Sequence, residues 1–282
     1  MISLKTLFEL IVPEYIPMAV LGAFVGAVAT TQTLPNQDFI TLIISLIFVV
    51  AGFNTYNAIA DKKIDQINKP TRPVAANQIT EKQATILTTI FYILSIITAT
   101  LISPLITTII LIAIIITITY SFKTIYLKKR FIAGNMVGAI LYGLITPLAG
   151  WALTPNLTIP TPIIFTLFFL AIGLSFLKDF EDVVGDKKYG VNTLPLKLGR
   201  DKSITAIILI TTITFAYLTI TIITNTLPQK YYFLLIFYPL IFFNIYSYKN
   251  PADKKIISHL FRTTITIIMM LEITIALITL II

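Results

Sequence analysis

Apolar residues fall along this chain in long blocks, cut by short groups of proline, glycine and charged residues. The blocks approach the ~20 residues that an α-helix needs to cross a bilayer. Read against their breaks, they predict nine spans, near residues 10–32, 38–59, 82–102, 105–122, 131–152, 160–180, 203–225, 230–248 and 257–281. The run from Thr85 to Phe122 is too long for one span, and Pro104 after Ser103 divides it into two helices joined by a tight turn. The blocks are near-continuous in Ile, Leu, Thr, Phe and Val, without the alternation of an outer-membrane barrel, so backbone polar groups must be satisfied inside helices. The predicted fold is all-α: a polytopic membrane protein of about nine transmembrane helices in one bundle.

Composition agrees. The chain is 56% hydrophobic and 12% charged, with mean hydropathy +0.90, which excludes a soluble domain. Its cations add an orientation, because all 21 Lys and Arg except Lys230 either precede the first span or follow the second, fourth, sixth and eighth. The positive-inside rule then places the N-terminus and those loops in the cytoplasm. The opposite loops near Leu34, Ser103, Asn156 and Thr226 are short and nearly uncharged, with Trp151, Tyr231 and Tyr232 placed as interfacial anchors. The net charge of +8 is divided among membrane loops and does not suit nucleic acid. The first apolar run is a full span without a small-residue cleavage site, so no cleavable signal peptide is expected. With no cysteine, neither disulfides nor a thiolate metal site can form, and His259, in the basic stretch KKIISHLFR, is assigned no role.

Chemistry concentrates in two places. Asn57, Asp61 and Asp65 are spaced i, i+4, i+8, which on a continuing helix gives one polar stripe over roughly 12 Å. Asp179, Asp182 and Asp186 repeat the pattern at i, i+3, i+7 after the sixth block. Charge alone at a solvated helix end would not require such alignment twice. The two stripes end spans four apart, so they share an orientation and suggest two parallel four-helix repeats facing one cavity. Gly22 with Gly26, and Gly134 with Gly138, are small-residue pairs that would let the equivalent first and fifth spans approach their neighbours.

Five clustered carboxylates repel one another and need cations. Oxygen-only ligands suit Mg2+, which takes one or two carboxylates and completes its shell with water and phosphate oxygens. The adjacent bases Lys69, Arg72, Lys128, Lys129 and Lys187 would meet the remaining phosphate charge. A diphosphate head at the mouth and an apolar tail inside the bundle describe a prenyl diphosphate. A cation transporter is the rival reading, but transporter sites tend to the bilayer midplane at broken helices.

With these motifs the chain resembles the UbiA superfamily of intramembrane prenyltransferases over essentially its whole length. The family's NDxxDxxxD motif and following RP pair are matched by Asn57, Asp61, Asp65, Arg72 and Pro73, with Ala58 replacing the second-position Asp. The DxxDxxxD motif is matched by Asp179, Asp182 and Asp186, and GxxTLPxxxG by Gly190, Thr193, Leu194, Pro195 and Gly199. A loop after the fourth span carries a tyrosine and a lysine ahead of a GN pair. Gly134 and Asn135 anchor that alignment, Lys128 takes the lysine's place, and Tyr120 and Tyr126 both fit the tyrosine. The RP that opens the first helix in many members is Val12–Pro13 here.

The resemblance implies one transmembrane prenyltransferase domain over residues 1–282, with Mg2+ held by Asp61, Asp65, Asp179, Asp182 and Asp186. Asn57 joins these as catalytic, and Arg72, Lys128, Lys69, Tyr120, Tyr126 and Asn135 bind substrate. The expected partners are a prenyl diphosphate, a lipid-like acceptor and membrane lipid. The stretch KDFEDVVGDKKYGVNTLP is most similar to the archaeal ether-lipid branch. That similarity implies transfer of a geranylgeranyl group to the hydroxyl of geranylgeranylglyceryl phosphate. The homogentisate and chlorophyll branches share some of this wording, so an aromatic acceptor is the alternative. A glyceryl phosphate needs extra cations at the mouth, for which Lys69, Lys129, Lys187 and Lys188 are available.

Overall fold

The computed structural model describes residues 2–154, 158–250 and 253–281, and among these there is helix but no strand. Nine of the helices are long and apolar enough to cross a membrane: Pro13–Thr31, Asp38–Ala60, Glu81–Thr100, Pro104–Ser121, Ala133–Trp151, Thr161–Tyr189, Arg200–Ile223, Gln229–Lys249 and Lys254–Ile281. They are numbered here as the first to ninth spans. The turn expected at Asn156 lies outside the described residues.

Two boundaries differ from the sequence reading, each for a local reason. Leu4–Ile11 is a separate helix, capped by the Ser3 hydroxyl accepting from the Thr6 amide and ended by Val12 in the left-handed region at φ 49°. Pro13 cannot continue that helix and opens the first span instead. Leu4 and Phe8 on the short helix are exposed, while Leu10 packs with Ala58, Val74, Ile79 and Ala84. The sixth span, expected to end near residue 180, runs on to Tyr189 and stops at Gly190, whose φ of 68° suits glycine. Its second acidic motif is therefore helical throughout. At Ser103 and Pro104 the break is as expected, with the Ser103 hydroxyl accepting from the Ile106 amide at 3.2 Å.

The second span packs along the third as the sixth packs along the seventh, a contact pattern repeated four spans apart. The first and fifth spans, equivalent members of the two repeats, pack against each other, and the ninth closes against the first, sixth and eighth. Contact between the first and fifth is backbone to backbone. A Cβ on Gly26 would strike the Pro147 carbonyl, and one on Gly150 would strike the Ala23 carbonyl. Gly22 and Gly26 thus act as expected. The second pair does not act alike: Gly138 faces Ser175 of the sixth span, whereas Gly134 sits against the Leu127 and Lys128 carbonyls of its own preceding loop.

Some polar groups inside the bundle join one span to another. Ser45 and Ser95 exchange hydroxyl bonds with each other's carbonyls at 2.9 and 3.0 Å, joining the second and third spans. Exposed threonines are satisfied within their own helices, Thr89, Thr108, Thr212 and Thr266 each donating to the carbonyl four residues earlier at 2.8–3.0 Å.

Gly150→Ala should lower thermal stability by roughly 1–3 kcal/mol or more, as overpacking a close contact does. Gly173→Ala, whose methyl would meet nothing nearer than 3.7 Å, should leave it unchanged or slightly raised. Thermal unfolding of detergent-solubilised protein checks both, and equal melting temperatures would contradict the backbone contact.

Candidate active site

The first acidic stripe survives a change of helix. The second span ends at Ala60 and a short helix, Lys62–Asn68, follows. Yet the amides of Asp61, Asp65 and Lys69 bond the carbonyls of Asn57, Asp61 and Asp65, all at 2.8 Å. The i to i−4 step is thus kept at the three stripe positions although the helix is interrupted at Asp61, and Asn57, Asp61 and Asp65 all line the same cavity. Pro70 then prevents the short helix from continuing and turns the chain toward Arg72.

Each acidic group on the stripe is held by a partner from elsewhere. Asp61 accepts from Asn57 Nδ2 at 2.9 Å, accepts from the Tyr126 hydroxyl at 3.0 Å, and is ion-paired with Lys128. Asp65 pairs with Arg72 Nη1 at 2.9 Å. On the sixth span, Asp182 pairs with Lys69 at 2.9 Å, and Asn135 donates to Asp179 Oδ2 at 2.9 Å. Burial alone would lower the Lys128 pKa, but Asp61, with Asp182 and Asp186 behind it, holds it well above the ordinary value. Arg72 is likewise raised by Asp65 against the effect of burial. Burial lifts the Asp65 carboxyl, with Arg72 pulling the other way, and burial with the Asp61 charge raises Tyr126. These pairs are charged, desolvated and directed.

The two motifs are joined by Asn68. Its Nδ2 donates to the Asp182 carbonyl and its Oδ1 accepts from the Gly185 amide, both at 2.8 Å. The fit requires glycine, since a Cβ at residue 185 would lie 2.6–2.8 Å from the Asn68 amide group. Lys254, at the start of the ninth span, donates to the Asn68 carbonyl. The short helix after the second span, the end of the sixth span and the start of the ninth therefore meet at one end of the bundle.

Between the motifs lies a cavity of about 950 Å³, counted to its open mouth. Asn57, the five aspartates, Lys69, Arg72, Lys128, Tyr120 and Asn135 line it, whereas Tyr126 braces Asp61 from outside the wall. Tyr120 lines the cavity and rests edge-on against Phe53, so the two candidate tyrosines occupy different places. Met18, Phe53 and Leu174 give the cavity an apolar side. Lys129, Lys187 and Lys188 are exposed and do not line it, so they are not the cations that an acceptor phosphate inside this cavity would meet. Lys178 and Tyr15 do line it and were not picked out from sequence, although Lys178 stands one helical turn before Asp182.

Oxygen ligands for a hard cation are present. Asp182 Oδ1 and Asp186 Oδ1 are buried with no hydrogen-bond partner among the described residues, a costly state that a cation would relieve. Among the described residues no three acidic groups stand close enough to form a protein-only metal cage. That is compatible with Mg2+, which takes few carboxylates and keeps positions for phosphate oxygens.

This arrangement agrees with the chain's relatives. Residues 17–266 match the UbiA prenyltransferase family, and the chain belongs to that family. Digeranylgeranylglyceryl phosphate synthase of Methanococcus aeolicus is 34% identical over 208 residues, 73% of either chain. The protein of the same name from Pyrococcus horikoshii is 30% identical over 251 residues, 88% of this chain and 86% of that one. A solved structure described as digeranylgeranylglyceryl phosphate synthase in membranes superposes with TM-score 0.71 at 25% identity, covering 99% of both chains. A UbiA homologue from Archaeoglobus fulgidus, bound to GPP and Mg2+, shares the fold with TM-score 0.73 at 19% identity, over 96% of this chain and 99% of that one.

Asn68→Ala removes two buried hydrogen bonds and should destabilise the protein by about 1–3 kcal/mol. Gly185→Ala should do the same from the other side of the contact, and the double variant should cost little more than either single one. Additive losses in thermal unfolding would show that the two residues do not act as one clamp.

Proposed function

We propose that the chain transfers a geranylgeranyl group from geranylgeranyl diphosphate to the free hydroxyl of geranylgeranylglyceryl phosphate, with Mg2+. The allylic C–O bond of the diphosphate breaks, an ether C–O bond forms, and diphosphate and the hydroxyl proton leave. The observation that carries this reading is the cavity itself, with two acidic stripes and four cations at one end and an apolar side. The resemblance to digeranylgeranylglyceryl phosphate synthases supports the choice of substrates.

In this reading Asp61, Asp65, Asp179, Asp182 and Asp186 hold Mg2+, the free oxygens of Asp182 and Asp186 being available without breaking any contact. Bound there, Mg2+ supplies positive charge that draws electron density onto the departing diphosphate. Lys128 and Arg72 turn from their carboxylates to phosphate oxygens, an exchange of one anion for another that leaves neither cation uncompensated. Asn57 and Tyr126 keep Asp61 oriented during that exchange. Lys69 does the same for Asp182, and Asn135 for Asp179. Tyr120 and Phe53 bound the allylic carbons with aromatic faces, which suit a cation-like transition state. The site opens to the cytoplasm, as does the N-terminus, because the cationic loops lie at that end.

Purified protein incubated with Mg2+, geranylgeranyl diphosphate and geranylgeranylglyceryl phosphate should yield the diether, identified by mass. EDTA should abolish it. Asp61→Ala and Asp182→Ala, made separately, should each lower kcat by roughly 100-fold or more, the scale for losing a positioned electrostatic group. Near-normal turnover by either variant would overturn the roles, and prenylation of 4-hydroxybenzoate with no reaction on the glyceryl phosphate would overturn the acceptor.

A further inference from the structure

Four cations line the central cavity, and one differs from the rest. Lys69, Arg72 and Lys128 each contact an aspartate. Lys178 has no carboxylate within 4.0 Å and no hydrogen bond among the described residues. Its one specific neighbour is the ring of Tyr15, whose centroid lies 5.9 Å from the ammonium. Of the nearby acids, Asp182 gives its Oδ2 to Lys69 at 2.9 Å, which also reaches Glu181 at 3.9 Å, and the free Oδ1 of Asp182 makes no contact with Lys178. Lys69, Lys128 and Arg72 all repel Lys178, and Asp182, although it makes no contact, attracts it from a distance. A half-buried ammonium among like charges, with no carboxylate in contact, is costly unless a ligand brings an anion to it.

Position indicates which anion. Lys178 faces Tyr15 of the first span, and Phe261 of the ninth lines the same cavity. The group formed by Asp61, Tyr126 and Lys128 is built instead from the second span and the loop after the fourth. One part of the cavity thus offers carboxylates for a metal-bound diphosphate, and another offers an ammonium and a phenol with no carboxylate to spare. A phosphomonoester carries about 1.5 to 2 negative charges at neutral pH and needs no metal to bind such a pair. Arg72 also lines a second groove, open past Phe8, Pro13 and Arg262, so the cavity and this groove share a wall on the first-span side.

We propose that Lys178 and Tyr15 form a metal-independent phosphomonoester subsite that binds the phosphate of the acceptor lipid and so selects a phosphorylated acceptor. This rests on the transfer to geranylgeranylglyceryl phosphate described above. Lys178 donates a charge-assisted hydrogen bond and Tyr15 a neutral one, leaving the acceptor's hydroxyl to approach the allylic carbon from the first-span side.

The test compares the parent protein with Lys178→Met, Lys178→Arg and Tyr15→Phe, using geranylgeranylglyceryl phosphate and its dephosphorylated form. The parent should prefer the phosphorylated acceptor by about tenfold or more in kcat/KM, the scale of one charge-assisted contact. Lys178→Met should raise KM for that acceptor by a similar factor, reduce the preference to within about threefold, and leave KM for geranylgeranyl diphosphate within about twofold of the parent. Lys178→Arg should keep the preference, and Tyr15→Phe should weaken it less than Lys178→Met. The unchanged diphosphate KM doubles as evidence of folding. A Lys178→Met variant that retains the preference overturns the subsite, as does a defect that falls on the diphosphate, which would make Lys178 a leaving-group contact. A parent that uses both acceptors equally also overturns the subsite while the transfer reaction stands. A parent that prenylates neither overturns both.

Discussion

Charge brought to the end of an apolar bundle must be matched where it sits, and this requirement organises the rest of the molecule. An aspartate left alone in the wall of a half-buried cavity would be neutralised or expelled, because removing one partner of a buried pair is strongly destabilising. Here the matching cation or amide comes from a different connection in several cases. Lys128 reaches Asp61 from the loop after the fourth span, Lys69 reaches Asp182 from the loop after the second, and Asn135 reaches Asp179 from the fifth. The loops cannot separate without uncovering charge. What looks like a binding site is therefore also the tie that holds one end of the bundle together.

A site neutralised by its own side chains is also ready for exchange. A phosphate that replaces Asp61 on Lys128 or Asp65 on Arg72 leaves the carboxylate oxygen free for a cation, so anion and cation binding favour each other. Strict geometry is still needed, and it comes from uncharged contacts. Asn68 fixes the short helix of the first motif to the backbone of the second through directed hydrogen bonds, so the spacing between stripes does not depend on flexible lysines. The Gly150 and Gly26 contacts do the same for the first and fifth spans deeper in the bundle.

Much of this could be read from the sequence because two periods are involved, the length that crosses a bilayer and the four-residue step of a helix. Nine spans, the Ser103–Pro104 break, and the stripes at Asn57–Asp61–Asp65 and Asp179–Asp182–Asp186 follow from those periods alone. Other features depend on what faces what. Lys129, Lys187 and Lys188 are near the motifs in sequence yet exposed, while Lys178, counted only as a topology signal, lines the cavity. The Asn68–Gly185 contact joins residues 117 positions apart, so neither shows a local pattern. The extension of the sixth span to Tyr189 was hidden because polarity marks the end of a membrane segment, whereas a helix ends only where its backbone is capped.

The threonines in the spans bear on how such a bundle comes to exist. Because Thr89, Thr108, Thr212 and Thr266 return their hydroxyl protons to their own helices, those side chains present little unsatisfied polarity to hydrocarbon. Each such span can enter the bilayer as an independent rod, before any neighbour has arrived to accept a hydrogen bond. Ser45 and Ser95 are different, since their bonds cross from one rod to another and form only on docking. Biogenesis thus divides by hydrogen bond: those returned to the same helix accompany insertion, and those that cross between spans, at Ser45 with Ser95 or Tyr92 with Thr117, wait for assembly.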